Sequence, residues 1–314
     1  MVHRRIGGIA AVLFLLFASC GESTTPDALP ETPSPASAFP ITIAATNGDV
    51  TLVHRPERIV SLSPTATEML FAVGAGDQVE AVDDQSSYPA GAPVTDLSGF
   101  EPNVEAIASY EPDLVVYATE PGDLGASLES VGIPALQQDA AASLDDVYEQ
   151  IDQLGLATGN TSEAAAVVEQ MRGDIDAIVD SIEPVAPPLT FYHELDDTYY
   201  SVTSSTFIGQ LYSLAGLRNI ADEAKGAGGG YPQLSAEYII ATDPDLIFLA
   251  DTKCCGQSPR TVAERPGWAR IDAVVHGGVI PLDDDVASRW GPRVVNYLRR
   301  IATAVADASE AQAA

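Results

Sequence analysis

One phrase occurs twice in this chain. Residues 105–118 read EAIASYEPDLVVYA and residues 237–250 read EYIIATDPDLIFLA, with Glu, Ile, Pro, Asp, Leu and Ala recurring in register at an offset of 132 residues. Each copy predicts a short helix, a Pro-Asp turn, and a continuous apolar run suited to a parallel strand buried on both faces. The period is far longer than that of a solenoid repeat, so the expected fold class is α/β, with two similar lobes built on parallel-type sheets. The cleft between such lobes is the place to look for function.

The two copies are joined by an unusual segment. Between positions 162 and 182, apolar residues fall at Ala164, Val167, Val168, Met171, Ile175, Ile178, Val179 and Ile182, a helical spacing throughout. Roughly twenty residues make a rod of about 30 Å, long enough to span both lobes as one backbone helix and to limit how far they close. The expected organisation is an N-terminal lobe at 41–160, an interlobe spine helix at 161–186 and a C-terminal lobe at 187–308. The first lobe opens with a hairpin around Asn47-Gly48 and a strand near 58–61. Ser63-Pro64 then supplies an N-cap followed by Pro at the first helical position. Ligands of open parallel sheets bind beyond the carboxyl ends of the strands. That rule nominates the loops at 63–65, 83–88, 119–123, 193–197, 251–256 and 283–289.

The chain ends read differently from its body. His3, Arg4 and Arg5 precede an apolar stretch from Ile6 to Ala18, too short for a membrane span and suited to a signal peptide over 1–19. The sequence Phe17-Ala18-Ser19-Cys20 resembles the lipobox of bacterial lipoproteins, which implies lipidation at Cys20. Residues 20–40, rich in Pro, Ser, Thr and acid, are expected to form a disordered tether, and 309–314 a disordered tail. The expected location is therefore the outer face of the cytoplasmic membrane, held there by the lipid anchor alone.

Charge excludes some partners. The formal net charge is −30, and no Lys or Arg occurs between Ile59 and Met171. Nucleic acid is not an expected partner. With Cys20 lipidated, the remaining cysteines are the adjacent pair Cys254 and Cys255, which could form a vicinal disulfide, remain free thiols or ligate a metal without a supporting zinc spacing. Beyond the leader the histidines are His54, His193 and His276, too scattered for a three-histidine metal site, although His193-Glu194 at a strand end is placed to touch a ligand. The acids Asp283, Asp284 and Asp285 could in principle serve a secreted acid-base hydrolase. No Gly-x-Ser-x-Gly elbow, phosphate loop or zinc helix accompanies them, so no enzyme activity is expected.

The segments RIVSLSPTATEMLFAVGAGDQVEAVDD, SSYP, NVEAIASYEPDLVV, the long spine and YPQLSAEYIIATDPDLIF resemble the helical-backbone (class III) substrate-binding lipoproteins of bacterial ABC importers. The resemblance covers roughly positions 58–305. Members of that family carry vitamin B12, iron-siderophores or haem, and the pattern is most similar to the B12 carriers. The resemblance implies capture of cobalamin or a related corrinoid, with a ferric hydroxamate or haem as the alternative, by a monomer with no cofactor of its own. It implies that Glu68 and Glu237 dock into an ABC permease dimer, and that Tyr88, Tyr231, Asp285 and Arg289 contact the ligand. Phe100 is a further candidate aromatic face. Tyr231 and Leu97 stand where the B12 carriers have Trp. The acid-rich loops favour a bulky neutral or cationic ligand over an anion.

Overall fold

The computed structural model describes residues 38–313. The signal segment, Cys20 and nearly all of the 20–40 tether lie outside the described residues. The body opens with an antiparallel hairpin of β1 (Ile41–Ala45) and β2 (Gly48–Leu52). Gly48 turns the chain at φ 104°, a conformation open to glycine at no steric cost. The hairpin tip caps the first lobe's sheet edge: Asn47 Nδ2 donates to the Ala135 carbonyl at 2.9 Å, and Thr46 N to that of Gln137 at 3.3 Å.

The first lobe then runs β3 (Ile59–Leu62), α1 (Pro64–Ala72), β4 (Val79–Val82), α2 (Val104–Ala108), β5 (Leu114–Tyr117), α3 (Leu124–Ser130), β6 (Ala135–Gln137) and α4 (Leu144–Thr158). The spine α5 (Thr161–Asp180) follows. The second lobe comprises β7 (Thr190–Glu194), α6 (Phe207–Leu214), β8 (Arg218–Asn219), α7 (Ala236–Thr242), β9 (Leu246–Leu249), α8 (Pro259–Ala263), α9 (Asp272–Val275), β10 (Val279–Pro281), α10 (Asp284–Ala287) and α11 (Val294–Ala313). The sheet orders are β4-β3-β5-β6 and β8-β7-β9-β10, all pairs parallel, so the lobes share one topology.

The repeated phrase performs the same task in both places. Asn103 and Ser235 cap α2 and α7, accepting from Ala106 N at 3.0 Å and Tyr238 N at 3.2 Å. Each helix unwinds into a left-handed residue before its proline, Glu111 at φ 49° and Asp243 at φ 48°. The aspartate after each proline then staples the neighbouring strand. Asp113 Oδ2 accepts from Glu57 N and Arg58 N, while Asp245 Oδ2 accepts from Thr190 N and Thr190 Oγ1.

Both apolar runs alternate between two cores, as strands covered on both faces must. In β5, Leu114 and Val116 face the core shared with the spine, whereas Val115 and Tyr117 face a separate first-lobe core with Ile107 and Leu128. In β9, Leu246 and Phe248 face the shared core, and Ile247 and Leu249 pack with Ile239, Val262 and Trp268. The shared core continues through Met69, Ile151, Met171, Ile175, Tyr212, Leu298 and Ile301, so a single apolar interior runs through both lobes.

The spine packs along α4 and α11. Gly155 makes the first crossing close: a Cβ there would sit 2.3 Å from the Ala164 Cβ. The expected disordered tail is corrected, because α11 continues through 309–313, where alanine and polar helix formers extend it without a breaker. Strand β7 runs on past its apolar residues. It takes in His193 and Glu194, which are polar by sequence but fully buried here.

Candidate functional site

The loops beyond the carboxyl ends of the strands carry four exposed rings. Among the described residues, the aromatic side chains classed as exposed are Tyr88 at 46 %, Phe100 at 73 %, Tyr200 at 41 % and Tyr231 at 52 %. Tyr88 follows β4. Its loop rests on a buried polar chain in which Thr67 Oγ1 bonds Ser61 at 2.9 Å and Ser86 at 3.0 Å, and Ser86 donates to Asp83. Burial pushes the Asp83 carboxyl up to about 6, opposed by the Ser86 hydrogen bond. Phe100 is placed by Gly99, where a Cβ would meet the Leu62 carbonyl at 2.6 Å and Asp83 Oδ2 at 2.9 Å. Tyr200 follows β7. Tyr231 lies beside it, because Ser201 N donates to the Pro232 carbonyl, Thr203 N to that of Gly230 and Leu234 N to that of Tyr199.

Arg289 does not stand open to a ligand. Its Nη1 donates to Glu68 Oε1 at 2.9 Å, and its Nη2 to the Gln85 carbonyl at 3.0 Å and Asp285 Oδ1 at 3.1 Å. Arg293, which the sequence reading passed over, completes the group. Its Nε donates to Glu68 Oε2 at 2.9 Å, its Nη2 to Glu68 Oε1 at 2.5 Å, and its guanidinium covers the Tyr88 ring at 4.3 Å. Asp285 also holds Lys253 Nζ at 2.8 Å, and Asp283 holds it at 2.7 Å. Asp284 gathers the loop at 252–254, accepting from Thr252 N, Lys253 N and Cys254 N.

Glu68 is therefore corrected. It was expected as an accessible docking acid, but it is 3 % exposed and joins α1 of the first lobe to two arginines of the second. The helical position was legible, whereas its partners lie more than 220 residues away, as the Arg289 and Arg293 bonds show. Glu237 stands exposed in the first turn of α7. Its counterpart in the repeat is Glu105, exposed in the first turn of α2. The duplicated phrase itself carried that signal.

Of the alternatives open for Cys254 and Cys255, the structure has the exposed free thiols. His193 and Glu194, expected at a loop facing a ligand, are fully buried instead. His193 Nδ1 bonds the Tyr212 hydroxyl at 2.8 Å inside the shared core, where burial lowers its imidazole to about 3. Glu194 is held bidentately by Arg265 at 2.6 and 2.5 Å, with the guanidinium 4.6 Å from the Trp268 ring centre. Asp251 is wholly buried beside this pair, and its carboxyl is pushed up to about 8 by burial first and the Glu194 charge second. No cluster of metal-binding side chains occurs among the described residues.

A family model described as periplasmic binding protein matches residues 59–286. The chain belongs to the periplasmic binding protein family. Within this family it is 33 % identical over 279 residues to a cobalamin-binding protein of Halobacterium salinarum, covering 86 % of this chain and 75 % of that one. It is 29 % identical over 316 residues to YvrC of Bacillus subtilis, an uncharacterised ABC transporter substrate-binding lipoprotein, covering 97 % and 98 %. Among solved structures of similar fold are the periplasmic heme-binding protein RhuT of Roseiflexus in apo form, and the periplasmic vitamin B12 binding protein BtuF of Vibrio cholerae. RhuT superposes at TM-score 0.71 with 26 % identity over 81 % of this chain and 99 % of that one. BtuF superposes at TM-score 0.66 with 25 % identity over 81 % and 98 %. The Glu68 ion cluster joins the two lobes, and the Tyr88 ring lies against it.

Proposed function

We propose that this protein captures cobalamin or a related corrinoid outside the cytoplasmic membrane, anchored through Cys20, and delivers it to an ABC permease. The observation that carries the ligand class is the pairing of the cations at the cleft. Arg289 and Arg293 are bonded to Glu68, and Lys253 to Asp283 and Asp285, while four aromatic rings remain exposed. Such a surface suits a large, uncharged, flat-sided guest whose apolar edges rest on rings. It suits haem, with two carboxylates to neutralise, less well. The cobalamin-binding relative from Halobacterium supports the same reading. Ligand contacts are assigned to Tyr88, Phe100, Tyr200 and Tyr231, with the Asp285–Arg289 pair bracing the loop of Tyr88 through the Gln85 carbonyl.

Delivery requires no chemistry in this protein, only different affinities of the permease for the loaded and empty forms. The docking acids are assigned to Glu105 and Glu237, one on each lobe at equivalent positions of the duplicated phrase. A two-fold permease dimer would meet both at once.

The test is a visible spectrum of purified protein after incubation with cobalamin, cobinamide, haem or a ferric hydroxamate, followed by desalting. Corrinoid bands should persist, and Tyr231→Ala should weaken cobalamin binding about tenfold. Loss of all four ligands on desalting would overturn the assignment, and retention of haem alone would redirect it. Glu105→Ala with Glu237→Ala should abolish delivery to permease-containing vesicles while leaving the spectrum of the loaded protein intact.

A further inference from the structure

The ion cluster that joins the lobes has an unusual composition: two guanidiniums from the second lobe share one carboxylate from the first. Glu68 Oε1 accepts from both Arg289 and Arg293, and Glu68 Oε2 accepts from Arg293 as well. Arg289 reaches on to Gln85 and Asp285, and Arg293 to the ring of Tyr88, so the group touches the loop that presents a cleft aromatic. Among the described residues these are the ion pairs that cross from lobe to lobe; the others lie within a lobe or between Arg172 of the spine and Asp145.

We propose that Glu68 is the specificity-determining residue for ligand charge, an internal anion that holds Arg289 and Arg293 and so makes the cleft reject carboxylate-bearing guests. The inference rests on the corrinoid reading above and deepens it. Glu68 acts through the arginines and is a positioning residue, not a ligand contact. With Glu68 present, Asp283, Asp284 and Asp285 leave the cluster no spare positive charge, and a guest's carboxylate faces net repulsion. With Glu68 made neutral, two guanidiniums stand beside Tyr88 with only Asp285 and the Gln85 carbonyl to bind, and an anionic guest gains a fork-shaped partner.

The test uses matched pairs of equal shape and different charge: cobalamin against the monocarboxylic acid formed by hydrolysing one side-chain amide, and haem dimethyl ester against haem. Titrated at low salt, the native protein should favour the uncharged member of a bound pair by about tenfold. Glu68→Gln, which keeps the side-chain shape, should shift that preference about tenfold towards the carboxylate, with the shift shrinking as salt is raised. Arg293→Gln, which leaves Glu68 one cation fewer, should move the preference the other way, and it keeps the idea testable if Glu68→Gln folds poorly. An uncharged-to-charged ratio that stays constant across the native protein and both variants overturns the role of Glu68 alone. Failure of the native protein to bind any of the four ligands overturns the corrinoid reading, and this inference with it.

Discussion

Asp251 illustrates how a single residue responds to its fold. The carboxyl is wholly buried beside Glu194, and burial together with that charge raises it to about 8. Because the folded protein holds this proton more tightly than the unfolded chain, the contribution of this carboxyl to stability is fully present below about pH 4 and is lost as pH rises to about 8. Asp83, raised to about 6, adds a smaller decline of the same sign that ends earlier. Asp251→Asn should therefore remove a contribution of about 1 kcal/mol per pH unit to the slope between pH 6 and pH 8. Urea unfolding midpoints at the two pH values measure this, and an unaltered slope in the variant would show that another group carries it. None of this was legible by sequence. Asp251 and Glu194 read as loop acids, and only the extra length of β7 draws Glu194 inside, where Arg265 can hold it. Glu68 failed for the same reason, since its charge was visible but its arginine partners were remote in the chain.

At the scale of elements, periodicity was a good guide wherever one face had to be buried. The spine appears at Thr161–Asp180, and its buried positions Ala164, Met171, Ile175 and Ile178 are among those marked by spacing. The strands of the duplicated phrase and the capped start of α1 were equally plain. The short elements were not: β8 is two residues long, and α9 and α10 are four residues each, too brief for any period to register. The closeness of α4 to α5 was also hidden, because an isolated glycine in a helix reads as a weakness. Here Gly155 admits the methyl of Ala164, so Gly155→Ala should force the helices apart and cost about 1–3 kcal/mol despite the better helix propensity of alanine. A thermal melt distinguishes the outcomes, since a raised midpoint would show that the crossing can relax. At the site, Gly99→Ala should displace the Phe100 segment from Leu62 and Asp83, weakening ligand binding more than stability.

For the whole molecule, the decisive feature is the apolar interior that continues from the first sheet through the spine into the second. Side-chain bonds reinforce it: Trp290 Nε1 donates to Gln150 Oε1 at 2.8 Å, and Gln210 Nε2 to the Ala142 carbonyl at 2.7 Å. Interfaces that are large and apolar restrain relative domain motion. Loading with ligand should accordingly change the radius of gyration by no more than about 1 Å in small-angle scattering, well below the change expected of a hinged closure. A larger contraction would locate a hinge that the spine conceals. The duplication and the spine could both be read from the sequence, but the shared interior could not, because a run such as LIFL says that both faces are covered without saying by what.

Neither half is thus expected to stand as a separate protein. A fragment beginning at residue 187 would retain its own four strands yet leave α11 without the spine it packs along. Such a fragment should clump on expression and recover only when its missing half is supplied alongside it. Two halves of one topology thus depend on each other for a solvent-free inside.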